Sequence, residues 1–350
     1  MSEYRLILLG SSSPAEYNEV WIKNWEDFIE SNPGASPFQT PDFFNVYLHS
    51  EKHSPYAFLA VDKNDKLAGS LLAVIHREYR GLAGFLSSRA IVTGDPVIVE
   101  DNDLVLSFLL GKCRKFLTSD SIFVQFRNSS LQDRNRKMIF EREGFRFDDH
   151  LNIILDLSKR PDVIWEGFSR SRKKGIKKAQ SSPFEFRVYS SGDEVENFYS
   201  LLRESYSRIG LPYPGMDHFI EICRLNSKVG YRLFSLEMEG KKIMMMLALL
   251  YNNRAYGYYA GTGGGNSYKT LKPADLFYWE VLKWCSLNGI ESFDWMGAGK
   301  PGSKYGVRDF KLEFGGNTIN PGRYERINHK LLYHISKAGL YLYRKMKFLR

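Results

Sequence analysis

GYRLFSLEMEGKKIMMMLALLYNNRAYGYYAG, residues 230–261, decides the fold. GYRLFSLEME (230–239) reads as a strand, EGKK as a tight turn, and IMMMLALLY (243–251) as the returning strand. NNR is a second turn signal, and AYGYYAG (255–261) a third strand. Beyond it a glycine-rich turn leads into PADLFYWEVLKWCSLNGI, where Leu276, Trp279, Glu280, Lys283 and Trp284 give an amphipathic helical face. FDWMGA (293–298) is the next strand. The first half reads alike. PYAFLAVD (55–62), KNDK and LAGSLLAVI (67–75) form a hairpin, and SSRAIVTGDPVIV (87–99) is a further strand. A helix follows over 102–118, carried by Leu104, Phe108, Leu109 and Phe116, then the strand IFVQFR (122–127), a polar helix over 131–143, and LNIILDL (151–157). Hairpin, crossing strand, helix, strand thus occurs twice at an offset of roughly 175 residues, which points to a duplicated α/β unit.

The 350 residues carry 49 Lys+Arg against 40 Asp+Glu, for a net +9, with 43% hydrophobic and 25% charged residues. This is globular usage, and it excludes a disordered, collagen-like or disulfide-stapled chain. Cys113, Cys223 and Cys285 are widely spaced, without metal-ligand spacing or an even count, so a reducing compartment is expected. The short apolar run in MSEYRLILLGSSS falls short of a signal peptide, and a cytoplasmic location is expected. The charge is local. Residues 170–178 hold Arg170, Arg172, Lys173, Lys174, Lys177 and Lys178 with no acid, and Arg323–Arg350 holds eight basic residues against Glu325. The rest of the chain is mildly acidic, so the basicity points to particular anionic partners. SRSRKKGIKKAQSSP (169–183) reads as a basic helix that sets Arg170, Lys173, Lys174 and Lys177 near one face. Two further helices over 193–209 and 216–226 flank LPYPG. The C-terminal run places Leu331, Leu332, Ile335, Leu340, Leu342 and Met346 among basic residues, which suits a docking helix, contact with anionic lipid, or both.

Three stretches bear on chemistry. GTGGG (261–265) lies between strand and helix, where its N–H groups could cradle an anion or simply turn the chain; it matches neither nucleotide-binding glycine pattern. GAGKPGSKYGVRDFKLEFGG (297–316) crowds six glycines around Tyr305, Phe310, Lys311 and Phe314. Glycines admit close backbone approach, and a lysine among apolar neighbours could stabilise an oxyanion or a phosphate, or snorkel from a bulged strand. Tyr256 and Tyr258 fall on one face of their strand by alternation, with Tyr259 opposite. Asp294 in FDWMGA suits a general base or a turn cap. No HExxH, CxxC or paired-His spacing occurs, so neither a metal nor a tightly bound cofactor is expected.

In combination these segments resemble the Fem-type aminoacyltransferases of the GNAT superfamily. The resemblance rests on SPFQTPDFF (36–44), SRKKGIKKAQ (171–180), RIGLPYPGMDHF, YYAGTGG, LKPADLFYWEVLKW and, most specifically, FDWMGAG followed by GVRDFKLEFGG. PDFFNVYLHSEK carries Tyr47 where the family often has a substrate-contacting lysine, and 193–230 leaves no room for the coiled-coil arm of some members. The resemblance implies an α/β (α+β) fold of two tandem GNAT-like acyltransferase domains, with mixed sheets flanked by helices. The first would span 1–155 plus a C-terminal helix, 318–350, packing back on it, and the second 156–317 with the acyl-transfer site. It implies transfer of an amino acid from aminoacyl-tRNA, or another acyl group, to an amine of a nucleotide- or lipid-linked envelope precursor. Lys311 would stabilise the tetrahedral intermediate. Phe310, Tyr206, Arg208, Tyr256, Tyr258, Gly261, Gly263, Lys304 and Tyr305 would contact substrate, and the basic helix the anionic donor or acceptor. Two alternatives are an N-acyltransferase using acyl-CoA or an acyl-carrier protein, and a non-enzymatic protein binding RNA or a membrane surface through the basic segments.

Overall fold

The computed structural model describes residues 3–11, 15–131, 133–265 and 267–348, without the side chains of 15–18 and 340–348. The stretch Leu340–Arg350 singled out above therefore lies outside the described side chains. The chain divides into two compact units, Met1–Asp149 with Pro321–Arg350, and His150–Asn320.

The first unit contains β1 (Arg5–Leu9), α1 (Ala15–Glu30), α2 (Pro41–Leu48), β2 (His53–Val61), β3 (Leu67–His76), α3 (Gly81–Leu86), β4 (Arg89–Thr93) and β5 (Val97–Ile98). It continues with α4 (Asp103–Leu117), β6 (Phe123–Arg127), α5 (Arg134–Arg142) and β7 (Arg146–Asp148). The second contains β8 (Asn152–Asp156), α6 (Pro161–Glu166), α7 (Arg170–Gln180), β9 (Phe184–Tyr189), α8 (Val195–Ile209), α9 (Met216–Cys223) and β10 (Gly230–Met238). β11 (Lys241–Tyr251), β12 (Arg254–Thr262), α10 (Pro273–Leu287), β13 (Ser292–Asp294), α11 (Gly306–Leu312) and β14 (Asn317–Ile319) complete it, and β15 (Arg323–Ile327) with α12 (Lys330–Phe348) returns to the first unit.

Both units use one construction. β2, β3 and β4 form an antiparallel meander, and α4 carries the chain to β6, which lies parallel to β4. Likewise β10, β11 and β12 form a meander, and α10 leads to β13, parallel to β12. The turns Glu239–Gly240 and Asn252–Asn253 have positive φ at both residues, the geometry that two-residue hairpins require and that Gly and Asn adopt cheaply. Sheet order is β1-β2-β3-β4-β6-β15-β7 in the first unit, with β5 on β3, and β14-β8-β13-β12-β11-β10-β9 in the second. β8, expected above to close the first unit, instead pairs with β13 and β14 in the second sheet.

The run Ile243–Leu249 is buried throughout because helices cover both faces of β11. On one face Leu276, Phe277, Val281, Leu282 and Cys285 of α10 join Phe234, Leu236, Met244 and Met246 in the core. On the other lies α8, whose buried Phe198 meets Phe219 of α9 at 5.2 Å. In the first unit, Val105, Leu109 and Cys113 of α4 share a core with Phe58, Leu71, Ala73 and Phe126. Tyr47 is buried there against Phe43 and His53. α12 is fastened by Tyr333, whose hydroxyl donates to Glu325 at 2.7 Å and whose ring meets Phe123.

Candidate functional site

Lys311 sits on α11, so part of the glycine-rich stretch expected to be loop or bulged strand is helix. Its Nζ donates to the carbonyls of Trp295 at 2.8 Å, Met296 at 3.3 Å and Gly297 at 2.9 Å. An ammonium has three protons, and all three are used. The turn it caps follows β13 directly. Asp294 is buried and accepts from the Met296 N–H at 2.7 Å and from Asn152 Nδ2 at 3.0 Å. Met296 has φ +56, a backbone state that an L-residue adopts at a cost and that these bonds maintain. A carboxylate thus holds the turn from its N–H side and an ammonium from its carbonyl side. Burial lowers the Lys311 amine to about 8, with the Asp294 charge opposing. Burial likewise raises the Asp294 carboxyl, opposed by the bonds from Met296 and Asn152. Asp294 therefore caps a turn rather than facing a substrate as a base.

A buried arginine fastens α11. Arg172 of α7 is 4% exposed, bonds Asp275 at the start of α10 through Nη1, and donates to Glu313 from Nη2 at 2.7 Å. Its guanidinium lies 4.0 Å from the Phe310 ring centroid and 4.5 Å from that of Phe314. The α7 backbone comes so close to Asp275 that a Cβ on Gly175 would lie 1.8 Å from its Oδ2. Arg172 was expected to bind an external anion; its charge is turned inward because two carboxylates and two aromatic rings neutralise it there. Lys173 pairs with Glu166 at 2.8 Å. Arg170, Lys174, Lys177 and Lys178 are exposed, and among the described residues none forms an ion pair.

β12 and β13 pair only from Arg254–Ser292 to Tyr256–Asp294, while β12 stays on β11 as far as Thr262. Past Tyr256 the sheet opens, and Lys311 caps the turn at the end of the shorter strand. A bulge in β12 sets Gly257 opposite Ala248 and Tyr259 opposite Leu247, leaving Tyr258 as the extra residue. This overturns the alternation expected from sequence. Tyr258 bonds the fully buried His218 at 2.9 Å, while Tyr259 meets Phe219 at 5.4 Å and Tyr206 at 5.7 Å. Tyr256 is core, and burial pushes its phenol and that of Tyr206 up to about 12. Tyr278, missed in the sequence, joins Trp295 and Phe310 at ring distances of 5.1 and 5.6 Å.

Gly261 and Gly263 form no open cradle. A Cβ on Gly261 would fall 2.4 Å from the Leu202 nitrogen of α8, and one on Gly263 2.6 Å from Leu201. The Gly263 N–H donates to Ile243. These glycines let α8 lie against β12. Arg208 is exposed and donates to Thr262 Oγ1 at 3.1 Å. Lys304 and Tyr305 are exposed, and Tyr305 lies over Gly299 so closely that a Cβ there would sit 2.9 Å from its ring.

Comparison with known proteins fits this geometry. The acetyltransferase (GNAT) domain family matches residues 168–311, ending on Lys311. A solved structure of FemX superposes with a TM-score of 0.65 at 12% identity over 90% of this chain and 98% of that one. A tandem GNAT protein from the clavulanic acid biosynthesis pathway gives 0.55 at 13% identity, covering 93% and 99%. The class is therefore the tandem GNAT fold. Beyond the fold, the chain is similar to UDP-N-acetylmuramoylpentapeptide-lysine N(6)-alanyltransferase of Weissella viridescens, which is 27% identical over 180 residues that cover 47% of this chain. The chain matches about half, 53%, of that relative's length. Among the described residues no cluster of three or more His, Cys, Asp or Glu could hold a metal ion, and no helix is long and apolar enough to cross a membrane.

Proposed function

We propose that the second unit transfers an acyl group, an amino acid carried by tRNA, to an amine of a peptidoglycan-type precursor. One observation carries this reading: a lysine on α11, its amine lowered to about 8 by burial, caps the turn where β12 and β13 part. The acceptor amine attacks the acyl carbonyl, an oxyanion forms, and the donor's hydroxyl departs with a proton. Lys311 serves the oxyanion. A negative oxygen accepts more strongly than a neutral carbonyl, so it displaces the Met296 carbonyl, the most distant of the three partners at 3.3 Å. Holding amine and carbonyl together supplies much of the remaining rate. Exposed Arg170, Lys174, Lys177 and Lys178 present cations to the phosphates of the donor. The alanyltransferase relative supports an aminoacyl donor and a nucleotide-linked acceptor. We place the reaction in the cytoplasm, where charged tRNA is made.

A second reading, with acyl-CoA as donor, draws on the acetyltransferase family match. Incubation of the full chain with amine-bearing envelope precursors, and with either aminoacyl-tRNA or acyl-CoA, separates the two by product mass. An aminoacylated precursor formed only with tRNA is expected. A product formed only from acyl-CoA replaces the first reading with the second, and no acyl adduct from either donor overturns both.

A further inference from the structure

α3 and the start of α12 expose apolar side chains side by side, and both belong to the first unit. Phe85 of α3 meets His329, the residue before α12, with their rings 5.6 Å apart. α12 buries Tyr333 on its inner side, yet Leu331 is 73% and Ile335 51% exposed. Their i, i+4 spacing sets them on one outer stripe. On the α3 side Leu82 is 77% exposed and Tyr79, two residues before the helix, 64%. Two neighbouring elements thus hold four large apolar groups in water, and such grouped exposure calls for an explanation that a single surface leucine does not.

The rim is cationic. Arg80, two residues before Leu82, and Lys330, next to Leu331, are exposed, while Lys337 lies over the Tyr333 ring at 4.3 Å and Glu78, the acid nearest to Tyr79 in sequence, is paired with Arg89 at 2.8 Å. From Lys330 onward the sequence carries six basic residues and no acid. A second copy of this chain docking through the same patch would set cations against cations, which disfavours a symmetric contact. An anionic bilayer offers what both parts need: acyl chains for the apolar groups and phosphates for the cations.

We infer that α3 and α12 form a peripheral docking face for an anionic lipid surface, with Tyr79, Leu82, Leu331 and Ile335 entering the interface and Arg80 and Lys330 at headgroup level. This inference stands independently of the acyl-transfer reading. Flotation of the full chain with phosphatidylglycerol-rich and with pure phosphatidylcholine vesicles tests it. Wild type is expected to float with the former and stay behind with the latter. Arg80→Glu/Lys330→Glu and Leu82→Ser/Ile335→Ser are each expected to weaken binding by on the order of tenfold or more. All four positions are exposed, so both variants should melt like wild type. Equal binding to both vesicles, no binding to either, or undiminished binding by either variant overturns the inference. So does a concentration-dependent dimer of the wild type that Leu82→Ser/Ile335→Ser dissolves, which would make a second copy the occupant.

Discussion

Lys311 commits every ammonium proton to the 295–297 turn, and its lowered amine makes that commitment pH-dependent. With the amine at about 8, the cation is present below that pH and is lost as pH rises through it, well before an exposed lysine loses its proton. Reaction of Lys311 with an amine-selective acylating reagent, followed by mass spectrometry, should rise around pH 8, below the ordinary lysine range of about 10.4. A rise only in that ordinary range would contradict the burial argument. Asp294 opposes the shift, so Asp294→Asn should move the Lys311 profile to still lower pH. It should also cost about 1–3 kcal/mol in urea unfolding through the disturbed bonds to Met296 and Asn152. Lys311 was legible in the sequence because a lysine between phenylalanines in a glycine-rich stretch is unusual. Its carbonyl partners were not, since a bond from side chain to backbone leaves no residue-type signature at the accepting end.

At the scale of elements, α7, α10 and α11 meet at Arg172. Removing a buried charge partner leaves the other uncompensated, so Arg172→Met should destabilise the second unit by about 3–5 kcal/mol. Replacing Asp275 by Leu in the same chain should recover part of that loss. Chemical denaturation of both variants checks this, and a double variant no better than the single would break the pairing argument. A methyl at Gly175 would collide with Asp275, so Gly175→Ala should cost about 1–3 kcal/mol. The basic run was visible in the sequence, but its inward member was not. The carboxylates that claim Arg172 lie 103 and 141 residues away, and only the packed helices bring them together. Tyr258 was misplaced for a similar reason. A bulge depends on register with a partner strand, and one extra residue turns the side chains that follow it to the other face.

For the molecule as a whole, the repeated grammar was the most legible feature. Hairpin turns, helix spacing and apolar runs are local, and each unit reuses them in the same order. The edge strands β7 and β14, and the five-residue β15 between β6 and β7, went unseen because segments of three to five residues carry no strong pattern. The charge reading narrows accordingly. Of the six cations on α7, Arg172 is internal and Lys173 is paired, leaving Arg170, Lys174, Lys177 and Lys178 to meet a polyanion. Lys174→Glu/Lys177→Glu/Lys178→Glu should weaken tRNA binding and flatten its dependence on salt, by a slope change of about 0.7–0.9 for each phosphate that is no longer neutralised. A filter-binding titration at several salt concentrations measures both; an unchanged slope would remove this helix from the donor site.

The central claim is that Lys311 stabilises the oxyanion of acyl transfer. Single-turnover transfer with saturating donor and acceptor, comparing wild type with Lys311→Ala, tests it most directly. The account predicts a rate lower by about 10²–10³, the cost of losing one oxyanion donor, with donor affinity little changed. Equal rates in the two proteins would contradict it.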